Sequence, residues 1–201
     1  MQKPTRKLVL AIVIRLLLTV VCAGVSAVAV SNPQSPAPAA TGEFRFSEIK
    51  FKVPDGWVTE KPSSTMRVAQ YKLPRVEGDG ADASVVLYFF GSGQGGSISD
   101  NVDRWVNQIK QPDGTSSKAK AKIEKTTVNG LKVTTVEVSG TYIAEMSPGS
   151  QERHNDANYH LRAAVIESPN GNYYLKLIGP DKTVSHWNRS FGEYLNSIEV
   201  K

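Results

Sequence analysis

Hydrophobic and polar positions change rhythm along this chain, and each rhythm implies a different element. Leu16 to Val30 is an uncharged apolar run, followed by Ser31 to Gly42 (SNPQSPAPAATG), which has no period. From Phe44 the pattern alternates. Phe44 and Phe46, then Ile49, Phe51 and Val53, are separated by polar residues, which predicts a first strand. Pro54-Asp55-Gly56 predicts a turn before Trp57. A second strand is expected over Met66 to Leu73, although Tyr71 and Leu73 fall out of phase with Met66 and Val68. Ala83 to Phe90 is almost continuously apolar, as in a strand covered on both faces.

A helical period takes over at Ser97. Ile98, Val102, Trp105, Val106 and Ile109 share one stripe, with Ser97 as cap and Asp100 in the first turn, so a helix is predicted from Ser97 to Ile109. Pro112-Asp113-Gly114 is its expected stop. Two hairpins come next, Ile123 to Ile143 about Asn129-Gly130 and Leu161 to Ile178 about Asn170-Gly171. Asn-Gly between apolar-rich runs predicts a type I′ turn, because both residues accept positive φ. Val184, Trp187, Phe191, Tyr194 and Leu195 predict a closing helix from Lys182 to Asn196, with Ile198 and Val200 extended after it. The sum is an α+β fold: a central, mainly antiparallel sheet flanked by amphipathic helices. No internal repeat interrupts it, so residues 43–201 read as one domain.

The start of the chain bears on location. Lys3, Arg6 and Lys7 precede the apolar run, Arg15 breaks it once, and Ala27-Val28-Ala29 closes it with small residues. That order is an export signal over residues 1–29, with residues 30–42 as an extended linker. Three fates are open: cleavage after Ala29, lipid attachment at Cys22, or retention as an uncleaved anchor. Thr19 and Val21 do not match the usual lipoprotein pattern, and the apolar run is shorter than the ~20 residues that span a bilayer. A soluble exported protein, periplasmic or extracellular, is the leading expectation, touching membrane only through the N-terminal segment.

Charge narrows the partners. The chain carries 24 Lys and Arg against 19 Asp and Glu, a net charge of +5. Lys3, Arg6, Lys7 and Arg15 belong to the leader, so the remainder is close to neutral, which argues against a nucleic-acid partner. Lys118, Lys120, Lys122 and Lys125 form a local cluster interrupted by Glu124, which reads as a solvated strand edge. Cys22 is the only cysteine, so the domain is expected to hold itself together by apolar burial without a disulfide.

Gly91-Ser92-Gly93-Gln94-Gly95-Gly96 fits a dinucleotide-binding G-x-G-x-x-G between strand and helix. The segments after it do not fit, because a Rossmann unit continues into a parallel strand and this one runs into a tight hairpin. The glycines are read as a backbone reversal. A small anion or a partner carboxylate resting on Gly91, Gly93, Gly95, Gly96 and Ser97, with Arg104 as the nearest fixed cation, is the alternative use of this loop. His154 and His160 in ERHNDANYH are read as a solvated loop and not a metal site, since their spacing fits no zinc pattern. No cofactor is expected. Trp57, Trp105 and Trp187 are read as core, His186 as water-facing, and Asn188-Arg189-Ser190 as an incidental sequon.

Phe51-Lys52-Val53-Pro54-Asp55-Gly56-Trp57 resembles the F-x-x-P-x-G-W opening of the PsbP/Mog1-like superfamily, and Phe191, Leu195 and Ser197-Ile198 resemble its closing helix. Phe90 to Gly96, Asn101 with Arg104-Trp105, and Lys176 to Pro180 resemble a group of uncharacterised exported bacterial proteins. The resemblance implies an α-β-α sandwich and a non-enzymatic binding or accessory role, with an envelope protein or a small ligand as partner. It carries no catalytic set to any residue. The contrasting expectation is an envelope hydrolase, with His154 or His160 meeting Ser97 or Asp100 across the fold.

Overall fold

The computed structural model describes residues 42–200, so the leader, most of the linker and Cys22 lie outside the described residues. The described residues begin with a hairpin of β1 (Gly42–Phe46) and β2 (Ile49–Val53), not one strand. Ser47 takes a φ of 54° at the turn, a conformation the alternating pattern does not reveal. A short β3 (Val58–Glu60), which no periodicity marks, leads to β4 (Arg67–Leu73) and β5 (Ala83–Phe89).

Helix α1 (Ile98–Val106) is capped by Ser97, whose side chain accepts from the Asp100 amide. It ends at Asn107, before the expected Ile109, which instead begins β6 (Ile109–Lys110). Pairing of Ile109 with Tyr142 overrides the helical period there. The lysine-rich stretch is also more than a strand edge. It contains a one-turn α2 (Ser117–Lys120), and only Lys122 and Lys125 lie on β7 (Lys122–Val128).

The first hairpin joins β7 to β8 (Leu131–Tyr142) through Asn129 and Gly130, with φ of 48° and 86°, as a type I′ turn requires. The second joins β9 (Asp156–Ser168) to β10 (Gly171–Pro180). Ser168 pairs with Gly171, so the turn residues are Pro169 and Asn170, one position earlier than expected. Proline's fixed φ suits the start of that turn.

The expected closing helix is split into α3 (Asp181–His186) and α4 (Asn188–Asn196). Trp187 sits at the break, its indole N–H donating to the Pro74 carbonyl at 2.8 Å. It is half-buried against the core, and His186 beside it is exposed. Finally β11 (Glu199–Val200) pairs with β2.

Every neighbouring strand pair is antiparallel. The large sheet runs β3-β4-β5-β10-β9-β8-β6, with β7 beside β6 along the free side of β8, and β1-β2-β11 form a separate small sheet. One face of the large sheet packs on Val184, Phe191, Tyr194 and Leu195 of α3 and α4, with Ile49, Phe51 and Val53 of the small sheet. The other face packs on Val102, Trp105 and Val106 of α1. This is the α+β fold read from the sequence, with one difference: a second sheet shares one face with the helices. No described helix is long and apolar enough to cross a membrane.

Candidate functional site

A groove opens between the C-terminal half of α1 and the sheet, lined by residues of β4, β5, β8 and β10. Three of its cations come from separate elements. Arg67 belongs to β4, Arg104 to α1 and Lys176 to β10, and all line a cavity of about 950 Å3 with Tyr88, Gln108, Tyr142, Arg153 and His154.

Arg67 reaches the groove through a bulge. Arg67 pairs with Tyr88 and Ala69 with Leu87, so β4 holds an extra residue at Val68. A one-residue slip exchanges the faces of a strand. Ala69, Tyr71 and Leu73 therefore enter the core, while Arg67 shares the face of Tyr88, its guanidinium 5.7 Å from that ring. The same slip explains why Met66 and Val68 fall out of phase with Tyr71 and Leu73.

Lys176 is a polar interruption of an apolar strand, on the same face as Tyr174 by strand alternation. Its ammonium donates to Gln108 Oε1 at 2.6 Å and to the Tyr142 hydroxyl at 3.2 Å. The residue keeps intermediate exposure. Even so, removal of the amine from water, reinforced by the positive charges of Arg104 and Arg67, pushes its pKa down to about 7. Burial pushes the Tyr142 hydroxyl up to about 12, with Tyr88 and Asp156 adding to the effect, so it stays protonated at neutral pH. Tyr142 is itself set between Tyr159, stacked at 5.9 Å, and the His154 ring at 4.7 Å.

Arg67, Arg104 and Lys176 are each held by neutral groups. Arg67 donates to Gln70 Oε1 and Arg104 to Asn101 Oδ1, both neutral amides. Asp100, Asp103 and Glu145 line the same cavity. Asp103 is paired with Lys118 at 2.9 Å, and Glu145 faces Arg153 at 3.9 Å. Among the described residues, none of Arg67, Arg104 and Lys176 has a carboxylate at ion-pair distance. Such a cluster is built to receive a negative charge.

An inner cleft of about 240 Å3 continues from the groove, sharing Tyr88, Arg104, Gln108 and Lys176 and adding Phe90, Trp105 and Tyr174. Trp105 and Tyr174 are almost fully buried and form fixed walls. On the other flank of α1 a cavity of about 920 Å3 is lined by Ile98, Val102 and Ile123 with Lys118, Lys125 and Lys132. Its lysines share that cavity with Asp103 and Glu167, and Lys118 is paired with Asp103.

The residues singled out from sequence fall unevenly about this site. Arg104 lines the groove. Gly91, Gly93, Gly95 and Gly96 all have positive φ and turn the chain from β5 into α1. Gly95 also packs on the site's wall, since a Cβ there would stand 2.6 Å from the Tyr174 hydroxyl oxygen. Ser97 is engaged in capping and in a 3.0 Å contact with Ser99. No parallel strand adjoins β5, so the Rossmann context is absent from this loop.

The solvated-loop reading is corrected for His160, whereas His154 does lie in a loop. His154 is half-buried, with Asp156 2.7 Å from its Nδ1. His160 lies within β9, buried, its ring nitrogens 3.0 Å from Glu137 and 3.2 Å from Asp181. Strand alternation puts His160 on the face of Arg162, which stacks on Phe191 of α4. Ser97 and Asp100 start α1 on the opposite face, so His160 does not meet them. The described residues contain no cluster of three or more His, Cys, Asp and Glu side chains suited to a metal ion.

Arg67, Tyr88, Gln108 and Tyr142 carry no role in the sequence reading, and Lys176 enters it only through a resemblance. One signal was present: a lysine in the middle of the apolar run Tyr173 to Ile178.

No protein-family model matches the chain, and no curated protein does. Among solved structures, it is similar to PA94, a protein of unknown function from Pseudomonas aeruginosa, at 15% identity and a TM-score of 0.45, over 80% of this chain and 96% of that one. It is also similar to the cyanobacterial PsbP, CyanoP, from Synechocystis, at 14% identity and a TM-score of 0.48, over 86% of this chain and 99% of that one. The class defined by the chain's own strand order and site is an antiparallel α+β domain with a cationic groove beside α1.

Proposed function

We propose that this chain is an exported, non-catalytic binding or accessory protein that takes a small anion into the groove between α1 and the sheet. The observation that carries the reading is the convergence of Arg67, Arg104 and Lys176 on one cavity without a carboxylate partner. Like charges held together in a fold oppose it, and a bound anion relieves that repulsion. The positive start, apolar run and small-residue end of the leader support export. The glycine loop contributes by position: Gly95 rests on Tyr174, and Asn101, tied to the Gly95 carbonyl at 2.7 Å, orients Arg104.

The test is titration of the purified full-length chain with inorganic phosphate, monitored by amide chemical shifts. Residues of α1 and β10 that line the groove should shift on saturation. Arg104→Ala should weaken the response about tenfold, as expected for loss of one charge-assisted contact. Arg104 is exposed, so stability should change by less than about 0.5 kcal/mol. An unchanged titration in Arg104→Ala would reject the groove as the anion site.

A further inference from the structure

The inner cleft speaks to the ligand's shape as well as its charge, and the ligand class it implies rests on the proposed anion site. Four aromatic side chains, Tyr88, Phe90, Trp105 and Tyr174, line a space of about 240 Å3 whose polar side chains are Arg104, Gln108 and Lys176. Tyr174 and Trp105 meet edge to face at 6.5 Å, and Phe90 tilts against Tyr174 at 5.3 Å. Tyr88 and Phe90 lie nearly parallel, with centroids 6.1 Å apart. Aromatic rings and cations without a carboxylate partner share this one cleft, which gives the site two chemistries.

We infer that the groove selects an aromatic carboxylate, its ring held in the cleft by Phe90, Trp105 and Tyr174 and its carboxylate between Arg104 and Lys176. A ring supplies the apolar area that a bare inorganic ion lacks, and planar faces suit edge and stacking contacts with the aromatic walls. The guanidinium of Arg104 presents paired N–H groups that match a planar carboxylate. Lys176 supplies a point charge, its ammonium positioned by donation to Gln108 Oε1 at 2.6 Å. An aliphatic anion would use the cations and leave the cleft wet; a neutral ring would fill the cleft and leave the cations unmatched.

Calorimetric titration of the full-length chain with benzoate, acetate and benzamide at pH 6 tests this. Benzoate should bind at least about tenfold more tightly than acetate, because ring burial alone exceeds the free energy of one decade in affinity. Benzamide should bind more weakly than benzoate by a similar factor. Arg104→Gln should weaken benzoate and acetate alike, whereas Phe90→Ala should weaken benzoate and leave acetate unchanged. If Phe90→Ala proves poorly folded, the wild-type ranking of the three probes still decides. Equal binding of benzoate and acetate would overturn the aromatic inference and leave the anion reading standing. Equal binding of benzamide and benzoate would overturn both, as would the absence of binding by all three.

Discussion

The two faces of the large sheet are finished in different ways. On one face, two helices and a small sheet close over Phe51, Trp57, Tyr71, Phe191 and Tyr194, none more than 2% exposed. Phe51 and Tyr194 stack at 4.5 Å, and Trp57 lies 5.0 Å from Tyr194 and 5.4 Å from Tyr71. On the other face stand α1, nine residues and about 13 Å long, and the one-turn α2 beside it, across a row of strands about 29 Å wide. Two such short helices cannot cover that width. Grooves therefore remain against both flanks of α1, and charged side chains such as Arg67 and Lys176 have room at the sheet surface. The closed face supplies stability, and the half-covered face has space for a ligand.

The strongest way to break this contrast is to truncate the closed face. Trp57→Ala should cost about 3–5 kcal/mol in urea unfolding, as the loss of a large, fully buried ring does. If it cost no more than Arg104→Ala, the two faces would not differ as described.

Gly95→Ala should come next. It forces a residue with a Cβ to a φ of 91° and drives that Cβ into the Tyr174 ring, so thermal unfolding should show a loss of about 2–3 kcal/mol. The effect on phosphate binding should be smaller than the effect on stability.

Lys176 gives the smallest and most specific signal. In the unfolded chain its amine titrates near 10.5, and in the fold near 7. Between those values the unfolded state holds a proton that the native state has released. Stability from this group therefore rises with pH across that window and is least below pH 7. Lys176→Met should remove the rise. At pH 6 the variant should be more stable than wild type by about 1–2 kcal/mol, the amine's residual solvent contact limiting the gain. The difference should shrink by pH 10, as read from urea midpoints at the two pH values.

Much of the frame was legible because it is set by neighbours in sequence. Alternation over Phe44 to Val53 marks buried strand residues even though a turn at Ser47 divides it. Asn129-Gly130 and the Ser97 cap act within a few residues, so their local chemistry decides them. Ile109 and Trp187 show where that logic stops. Pairing with Tyr142 takes Ile109 out of its helical stripe, and the contact with Pro74 accompanies the break between α3 and α4.

An antiparallel, helix-flanked α+β body is written in the order of residues, because hydrophobic period and turn preference are properties of short segments. The groove is not written there and arises only on folding. An extra residue at Val68 turns Arg67 away from the core, and strand order sets it beside Lys176 and α1. Registers and meetings of this kind join segments far apart in the chain. They are set by which faces bury together, so no local pattern records them.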